Sequence, residues 1–291
     1  MSTITVEAPA KLNLTLDILG KREDGYHEMK MVMQSVSLTD TITLEREKGE
    51  GMELSTNLGF LPVDGRNLAV VAAREFAAAT EEDLGHLRIH IQKRIPVCAG
   101  TAGGSSDAAA VLRGLNRLTG RGMTPTELAE VGKRVGSDVP YCVLGGTALA
   151  EGRGEKITPL PPLPACWMVL AKPGFSISTP TLFSQFDGKK TRCHPDTEGV
   201  IEALRNKELG GVARRLFNVF EEVLPPRKRE RVEELKRLLL DHGAMGACMT
   251  GTGPTVFGVF ASEEAARDAY KELKIHCREV FLTQRMDSEN L

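Results

Sequence analysis

Between Ile95 and Leu118 the chain reads IPVCAGTAGGSSDAAAVLRGLNRL. Its first part, Pro96, Val97, Cys98, Ala99, Gly100, Thr101, Ala102, Gly103, Gly104, Ser105 and Ser106, is a loop of mostly small residues. It leads into a helix whose apolar positions Ala108, Leu112, Leu115 and Leu118 are spaced for one buried face. Glycine lets backbone N–H groups approach a ligand with no Cβ in the way. The helix start adds unpaired N–H groups and a partial positive charge, and two adjacent serines add hydroxyls. The chemistry this suits is anion binding, most simply of the phosphates of a nucleotide. A glycine-rich turn that only brings a strand and a helix close together is the plainer alternative; the length of the loop and the serine pair weigh against it. Two common nucleotide loops are excluded. No lysine follows Gly103 or Gly104, as G-x-x-x-x-G-K-[ST] requires, and no G-x-G-x-x-G is followed by an acidic residue about 20 positions on.

Three other stretches carry reactive or recognition-type side chains. Lys11 and Asn13, two apart in an extended segment, share one strand face, with Leu12, Leu14 and Leu16 on the other. Taken alone, such a polar pair is solvated surface. Arg22-Glu23-Asp24-Gly25-Tyr26-His27 is a polar turn with two ring side chains. Gly136-Ser137-Asp138-Val139-Pro140 is a short acid-bearing turn that, taken alone, is a helix cap. His86 and His90 lie on the polar face of one strand, where the i,i+4 spacing of a helical metal pair has no meaning.

The elements that must position these groups follow from periodicity. Thr3 to Glu7 alternates as a strand that resumes after Pro9, which marks a bulge or sheet edge. Met29 to Leu44 reads as one or two strands with a turn near Asp40. Loops and a short strand fill 49–66, and Asn67 caps an alanine-rich helix to about Ala79. His86 to Gln92 alternates strictly and feeds the small-residue loop. Thr124-Pro125-Thr126-Glu127 is a capping box for a helix that Gly136 stops. Thr147 to Glu151 and Glu155 to Thr158 form a hairpin through Gly152-Arg153-Gly154. Four prolines between Pro159 and Pro164 mark a domain edge, so the expected domains are 1–158 and 165–291. Beyond it come a strand at Trp167–Ala171, a helix from Thr179 holding Phe183 and Phe186, and helices at about 196–206, 208–223 and 227–241. A strand–glycine loop–strand then spans Gly246 to Phe260, followed by an acidic-capped helix from Ser262 and a strand to Arg285.

The length of 291 residues accommodates about two domains, and 41% hydrophobic with 26% charged residues is the composition of a globular protein. A net charge of −2 provides no global attraction to nucleic acid or to anionic membranes. The six cysteines are scattered and form no C-x-x-C, so free thiols in a reducing compartment are expected, with Cys98 a small loop residue. No transmembrane-length run and no leader pattern occurs.

Four stretches in this order resemble the GHMP family of small-molecule kinases, over nearly the whole chain. Ala8-Pro-Ala-Lys-Leu-Asn-Leu is similar to the family's first motif, continued by Asp24-Gly-Tyr-His. Ile95 to Ala109 resembles its phosphate loop, Gly136-Ser-Asp-Val-Pro the segment with its catalytic acid, and Gly246 to Phe257 its third, glycine-rich motif. The pairing of APAKLN with DGYH points to a branch whose acceptor carries a cytidine diphosphate, rather than to those acting on mevalonate or homoserine. The loop departs from the family pattern at Cys98, Thr101 and Ala102, where glycine or leucine is common.

The resemblance implies an α+β, two-domain GHMP-kinase fold, with a ribosomal-protein-S5-domain-2-like N-terminal domain and a ferredoxin-like C-terminal one. It implies ATP as phosphoryl donor on residues 96–106, accompanied by Mg²⁺ whose ligands are left open. Asp138 is implied as the base for the acceptor's 2-hydroxyl and Lys11 as its electrostatic partner. Tyr26 and Phe183 are implied as aromatics stacking on the cytosine, His27 as a contact to the base edge, and Asn13 as a residue near the acceptor polyol. Isoprenoid precursor synthesis in the bacterial cytosol is the implied setting, with a small-molecule partner and no nucleic-acid or membrane partner. The rivals are a GHMP kinase for another small alcohol and a non-catalytic RNA-binding module; the net acidity and lack of a basic run oppose the second.

Overall fold

The computed structural model describes residues 2–187 and 193–291. Two long antiparallel strands, β1 (Ser2–Lys21) and β2 (His27–Glu47), form the spine of the first sheet. Around them lie β3 (Gly51–Thr56), helix α1 (Leu68–Thr80), β4 (His86–Gln92), α2 (Gly103–Thr119), α3 (Pro125–Gly132), α4 (Val139–Leu144) and the hairpin of β5 (Thr147–Gly152) with β6 (Lys156–Pro159). The sheet order is β3-β4-β2-β1, with β5 and β6 branching from β2. Asn67 caps α1 by accepting from the Ala69 N–H, and Thr124 and Glu127 complete the capping box at α3. That helix ends at Gly132, short of the expected 135, and passes into turns held by backbone bonds from Arg134 and Val135.

β2 is one strand, and the turn expected near Asp40 is absent. Asp40 is fully buried at mid-strand, its carboxylate satisfied by Lys93 and by backbone N–H groups of Arg94 and Ile95. A turn-type residue is held in a strand by partners more than 50 positions away. β1 has register shifts between Pro9 and Lys11 and between Asn13 and Thr15. The second breaks the expected grouping of leucines: Leu12 and Leu14 pack in one apolar cluster, Leu16 in the other.

After 159–164 come β7 (Trp167–Lys172), α5 (Thr179–Asp187), α6 (Thr197–Arg205), α7 (Leu209–Ala213), the two-residue β8 (Phe217–Asn218) and α8 (Pro226–Asp241). β9 (Gly246–Met249), β10 (Val256–Phe260), α9 (Glu263–His276) and β11 (Glu279–Gln284) follow, and a 3₁₀ turn at Ser288–Asn290 comes last. The second sheet runs β11-β7-β10-β9 with α8 and α9 against it. This β-α-β-β-α-β arrangement, with its last strand beside its first, is ferredoxin-like. The helix expected over 208–223 is instead a short α7, β8 and a 3₁₀ turn. Asn218 breaks it by donating to the carbonyls of Met249 and Gly251 at 2.7 and 2.8 Å, while its oxygen caps Phe220 N–H. β8 pairs in parallel with Thr15–Leu16, so a segment from beyond the proline run joins the first sheet. The second apolar cluster joins Leu12, Leu14 and Val32 of the first sheet to Met168, Leu170 and Phe257 of the second.

Candidate active site

Lys11 and Asn13 are buried, 4% and 0% exposed, not solvated surface. The Lys11 Nζ donates to Asn13 Oδ1 at 2.7 Å and lies 3.9 Å from Asp138 Oδ2. A contact from far along the chain also holds this strand: Thr250 Oγ1 accepts the Asn13 backbone N–H at 3.0 Å. Asp138 sits at the N-cap position of α4, yet its carboxylate caps nothing. It is one-third exposed and faces Lys11. The cap explanation of this acid therefore fails locally, and a solvent-accessible carboxylate is left beside a buried ammonium.

The small-residue loop runs from the exit of β4 to α2. Cys98, Gly100 and Ala102 have φ of 53°, 78° and 55°. Alternation of left-handed with ordinary backbone turns successive N–H groups toward one concavity, the geometry of an anion nest. Cys98 and Ala102 are two of the positions where the sequence departs from glycine; holding a side chain there stores about 1–2 kcal/mol each. Ala102 offers no side-chain cap to α2, so the first N–H groups of that helix keep no intrachain side-chain partner. Lys11 N–H donates to the Thr101 carbonyl at 3.2 Å, tying the loop to β1. The two serines differ. Ser106 is fully buried, and its hydroxyl donates to the Pro9 carbonyl at 2.7 Å. Ser105 is half-buried and makes no side-chain hydrogen bond among the described residues.

Beneath the loop, Lys93 lies between Asp40 and Asp107, donating to Asp107 Oδ2 at 2.6 Å and contacting the Asp40 carboxylate. Burial lifts the Asp107 carboxyl to about 7 against the pull of Lys93. Burial pulls the Lys93 ammonium down, but the two carboxylates outweigh it and hold it above its ordinary value. Arg113, on α2, donates to the carbonyls of Cys142 in α4 and Glu7 in β1 at 2.7 and 2.8 Å. One guanidinium thus braces the helix carrying Asp138 against the strand carrying Lys11.

The expected base-binding group divides in two. The ring of His27 stacks on Phe183 with centroids 4.8 Å apart, and Phe183 meets Phe220 edge-on at 5.0 Å. Tyr26 is exposed and faces the Arg153 guanidinium at 4.8 Å instead of Phe183. His27 Nε2 lies 2.6 Å from Asp187 Oδ1, and Lys21 reaches the other carboxylate oxygen at 2.9 Å. Hydrogen bonds from Lys21 and His27 hold the Asp187 carboxyl below its usual range. Arg153, Asp187, Thr250 and the Lys93 cluster were not picked out from sequence. Arg153, alone between two turn glycines, carried a local signal, and Thr250 and Asp107 lie inside stretches the sequence marks as motifs. A cavity of about 630 Å³ opens elsewhere, behind Gly145 and Gly146, and neither Lys11 nor Asp138 lines it.

These features have a family. GHMP kinases N terminal domain matches residues 67–146, and GHMP kinases C terminal matches residues 200–279. The crystal structure of homoserine kinase from Cytophaga hutchinsonii shares the fold, with a TM-score of 0.77 at 18% identity over 99% of this chain and 96% of that one. Fold and site together define a GHMP kinase. The 4-diphosphocytidyl-2-C-methyl-D-erythritol kinase of Listeria monocytogenes serotype 4b is 46% identical over 281 residues, 97% of this chain and 95% of the relative. A crystal structure of 4-(cytidine 5'-diphospho)-2C-methyl-D-erythritol kinase superposes with a TM-score of 0.81 at 31% identity, covering 97% and 99% of the two chains. The chain belongs to the 4-diphosphocytidyl-2-C-methyl-D-erythritol kinase family.

Proposed function

We propose that the chain transfers the γ-phosphoryl group of ATP to the 2-hydroxyl of 4-diphosphocytidyl-2-C-methyl-D-erythritol. The observation that carries this reading is the uncapped, accessible Asp138 carboxylate beside Lys11, whose own backbone is tied to the small-residue loop. In phosphoryl transfer the protein mainly positions groups and neutralises charge. Asp138 takes the proton as the hydroxyl oxygen bonds to the γ-phosphorus and ADP leaves. Lys11 stabilises both that carboxylate and the charge developing on the transferred group. Asn13 orients the Lys11 ammonium through its 2.7 Å bond. N–H groups of residues 96–106 hold the ATP phosphates.

Mg²⁺ is held mostly by phosphates and water with one or two oxygen ligands from protein. The half-buried hydroxyl of Ser105, with no side-chain bond among the described residues, fits that role; the Ser106 hydroxyl, fully buried, does not. When bound, the ion neutralises charge on the β- and γ-phosphates. Tyr26, His27 and Phe183 form the cytidine end of the reading. The setting is the bacterial cytosol with a small-molecule partner only; no helix among the described residues is long and apolar enough to cross a membrane.

ADP release measured with 4-diphosphocytidyl-2-C-methyl-D-erythritol, mevalonate and homoserine tests the assignment. ADP is expected with the first alone. Equal rates on all three, or none on the first, would sink it. Stacking of a base on an aromatic is worth about 1–3 kcal/mol, so Phe183→Ala is expected to raise the KM for the acceptor roughly 5- to 150-fold. The KM for ATP stays put in that variant, and an unaltered acceptor KM removes Phe183 from the base site.

A further inference from the structure

The donor loop is fastened at both ends to one buried point. Lys93 precedes the loop and Asp107 follows it in α2, and the two side chains meet at 2.6 Å. Asp40 of β2 holds the other side of the Lys93 ammonium and accepts the backbone N–H of Ile95 at 2.8 Å and that of Arg94. Asn57 brackets the Lys93 backbone, accepting its N–H at 2.8 Å and donating to its carbonyl at 3.1 Å. Gly103 leaves the room this needs: a Cβ there would lie 3.2 Å from Lys93 Nζ and 3.1 Å from Ile95 Cγ2. All three charged residues are nearly or wholly buried, and none of them bonds to Lys11, Asn13 or Asp138.

As a source of stability the arrangement is poor. Two carboxylates around one ammonium in the interior incur a desolvation cost that well-packed apolar residues of similar volume avoid. As a device for fixing geometry it is good, because charge-assisted bonds are short and directional. One carboxylate oxygen of Asp107 has no partner, so the cluster gives up a hydrogen bond while keeping the bond that links the two loop ends.

We infer that Lys93, Asp40 and Asp107 are positioning residues for the phosphoryl donor, a clamp that sets where the N–H groups of residues 96–106 point. The inference rests on the reading of that loop as the ATP site. N–H groups turned away from the phosphates hold them less well, so the clamp acts through the affinity for ATP and leaves acceptor binding alone.

Steady-state kinetics of the full chain, with ATP and acceptor varied separately, test it. Asp107→Ala raises the KM for ATP about tenfold or more, while the acceptor KM stays within about twofold. Asp107→Asn keeps the shape and an acceptor for Lys93, and it recovers most of the ATP affinity. Where Asp107→Ala does not fold, Lys93→Met carries the same expectation; if neither folds, the cluster serves stability alone and the clamp is overturned. An unchanged KM for ATP, or equal rises in both KM values, also overturns it. Gly104→Asp, which sets a carboxylate at the exposed start of α2, separates the two levels. Normal ATP binding in that variant fells the donor-loop reading itself. Loss of ATP there, with ATP retained in Asp107→Ala and Lys93→Met, fells the clamp alone.

Discussion

Asp138→Asn is expected to lower kcat by about 10²- to 10⁴-fold, the usual contribution of a positioned base, while ATP binds as before. The substitution keeps the shape of the side chain and removes only its ability to accept the acceptor's proton. Folding is little disturbed, because the carboxylate caps no helix and meets Lys11 only at 3.9 Å, at the edge of a salt bridge. The donor loop is held independently, by the Lys93 cluster and by Thr250, so nucleotide affinity measured with an ATP analogue does not move. Lys11→Met supplies the comparison. It removes the positive charge shared by the base and the transferred group, and a loss of about 10²- to 10³-fold is expected. The double variant loses far less than the product of the two, since both act on one proton and one phosphoryl group. Near-normal turnover in Asp138→Asn removes it as the base.

That Lys11 and Asp138 lie side by side could be expected from the sequence only through the resemblance. Alternation placed Lys11 beside Asn13 on one face, but which way that face looked depended on two register shifts in β1 and on Thr250, 237 residues away. No local pattern encodes a contact of that range. The loop was legible for a different reason: its small residues and the helix that follows are contiguous, so both halves of the argument lie in one stretch. Asp40 failed because aspartate favours turns, and the partners that keep it in a strand come from the exit of β4. The 208–223 helix failed because the side chain of Asn218 serves carbonyls at 249 and 251. In each case a tertiary hydrogen bond overrode local propensity.

The division of labour between the two ends of the site follows from these long contacts. The groups proposed for catalysis and the small-residue loop are fixed by buried, hydrogen-bonded residues: Asn13, Ser106, Asp40 and Arg113. At the proposed base-binding end, His27 and Phe183 are joined by a ring contact and Asp187 links His27 to Lys21, while Tyr26 stands apart against Arg153. Exposed pairs of this kind contribute about 0–1 kcal/mol each. Rigidity is thus concentrated around Lys11, Asp138 and the small-residue loop, where the proposed phosphoryl transfer needs alignment, and the contacts around His27 and Phe183 are the weaker ones.

Gly100→Ala is expected to separate the donor loop from the third glycine motif, with loss of both stability and ATP affinity. Gly100 has φ of 78°, and a Cβ would lie 2.2 Å from the Thr250 carbonyl oxygen and 2.8 Å from the Gly253 nitrogen. Both obstacles are backbone, so no rotamer change relieves them. A side chain in left-handed backbone costs about 1–2 kcal/mol, and overpacking adds about 1–3 kcal/mol. Together these correspond to a fall in Tm of roughly 3–8 °C. The loss extends beyond folding, because the displaced Thr250 is also the acceptor for the Asn13 N–H and so holds the strand that carries Lys11. Gly59→Ala is the control: nothing lies within 4 Å of a Cβ there, and its Tm should stay near that of the parent. Equal Tm values for Gly100→Ala and Gly59→Ala would show that the two loops are not locked together as the structure has them.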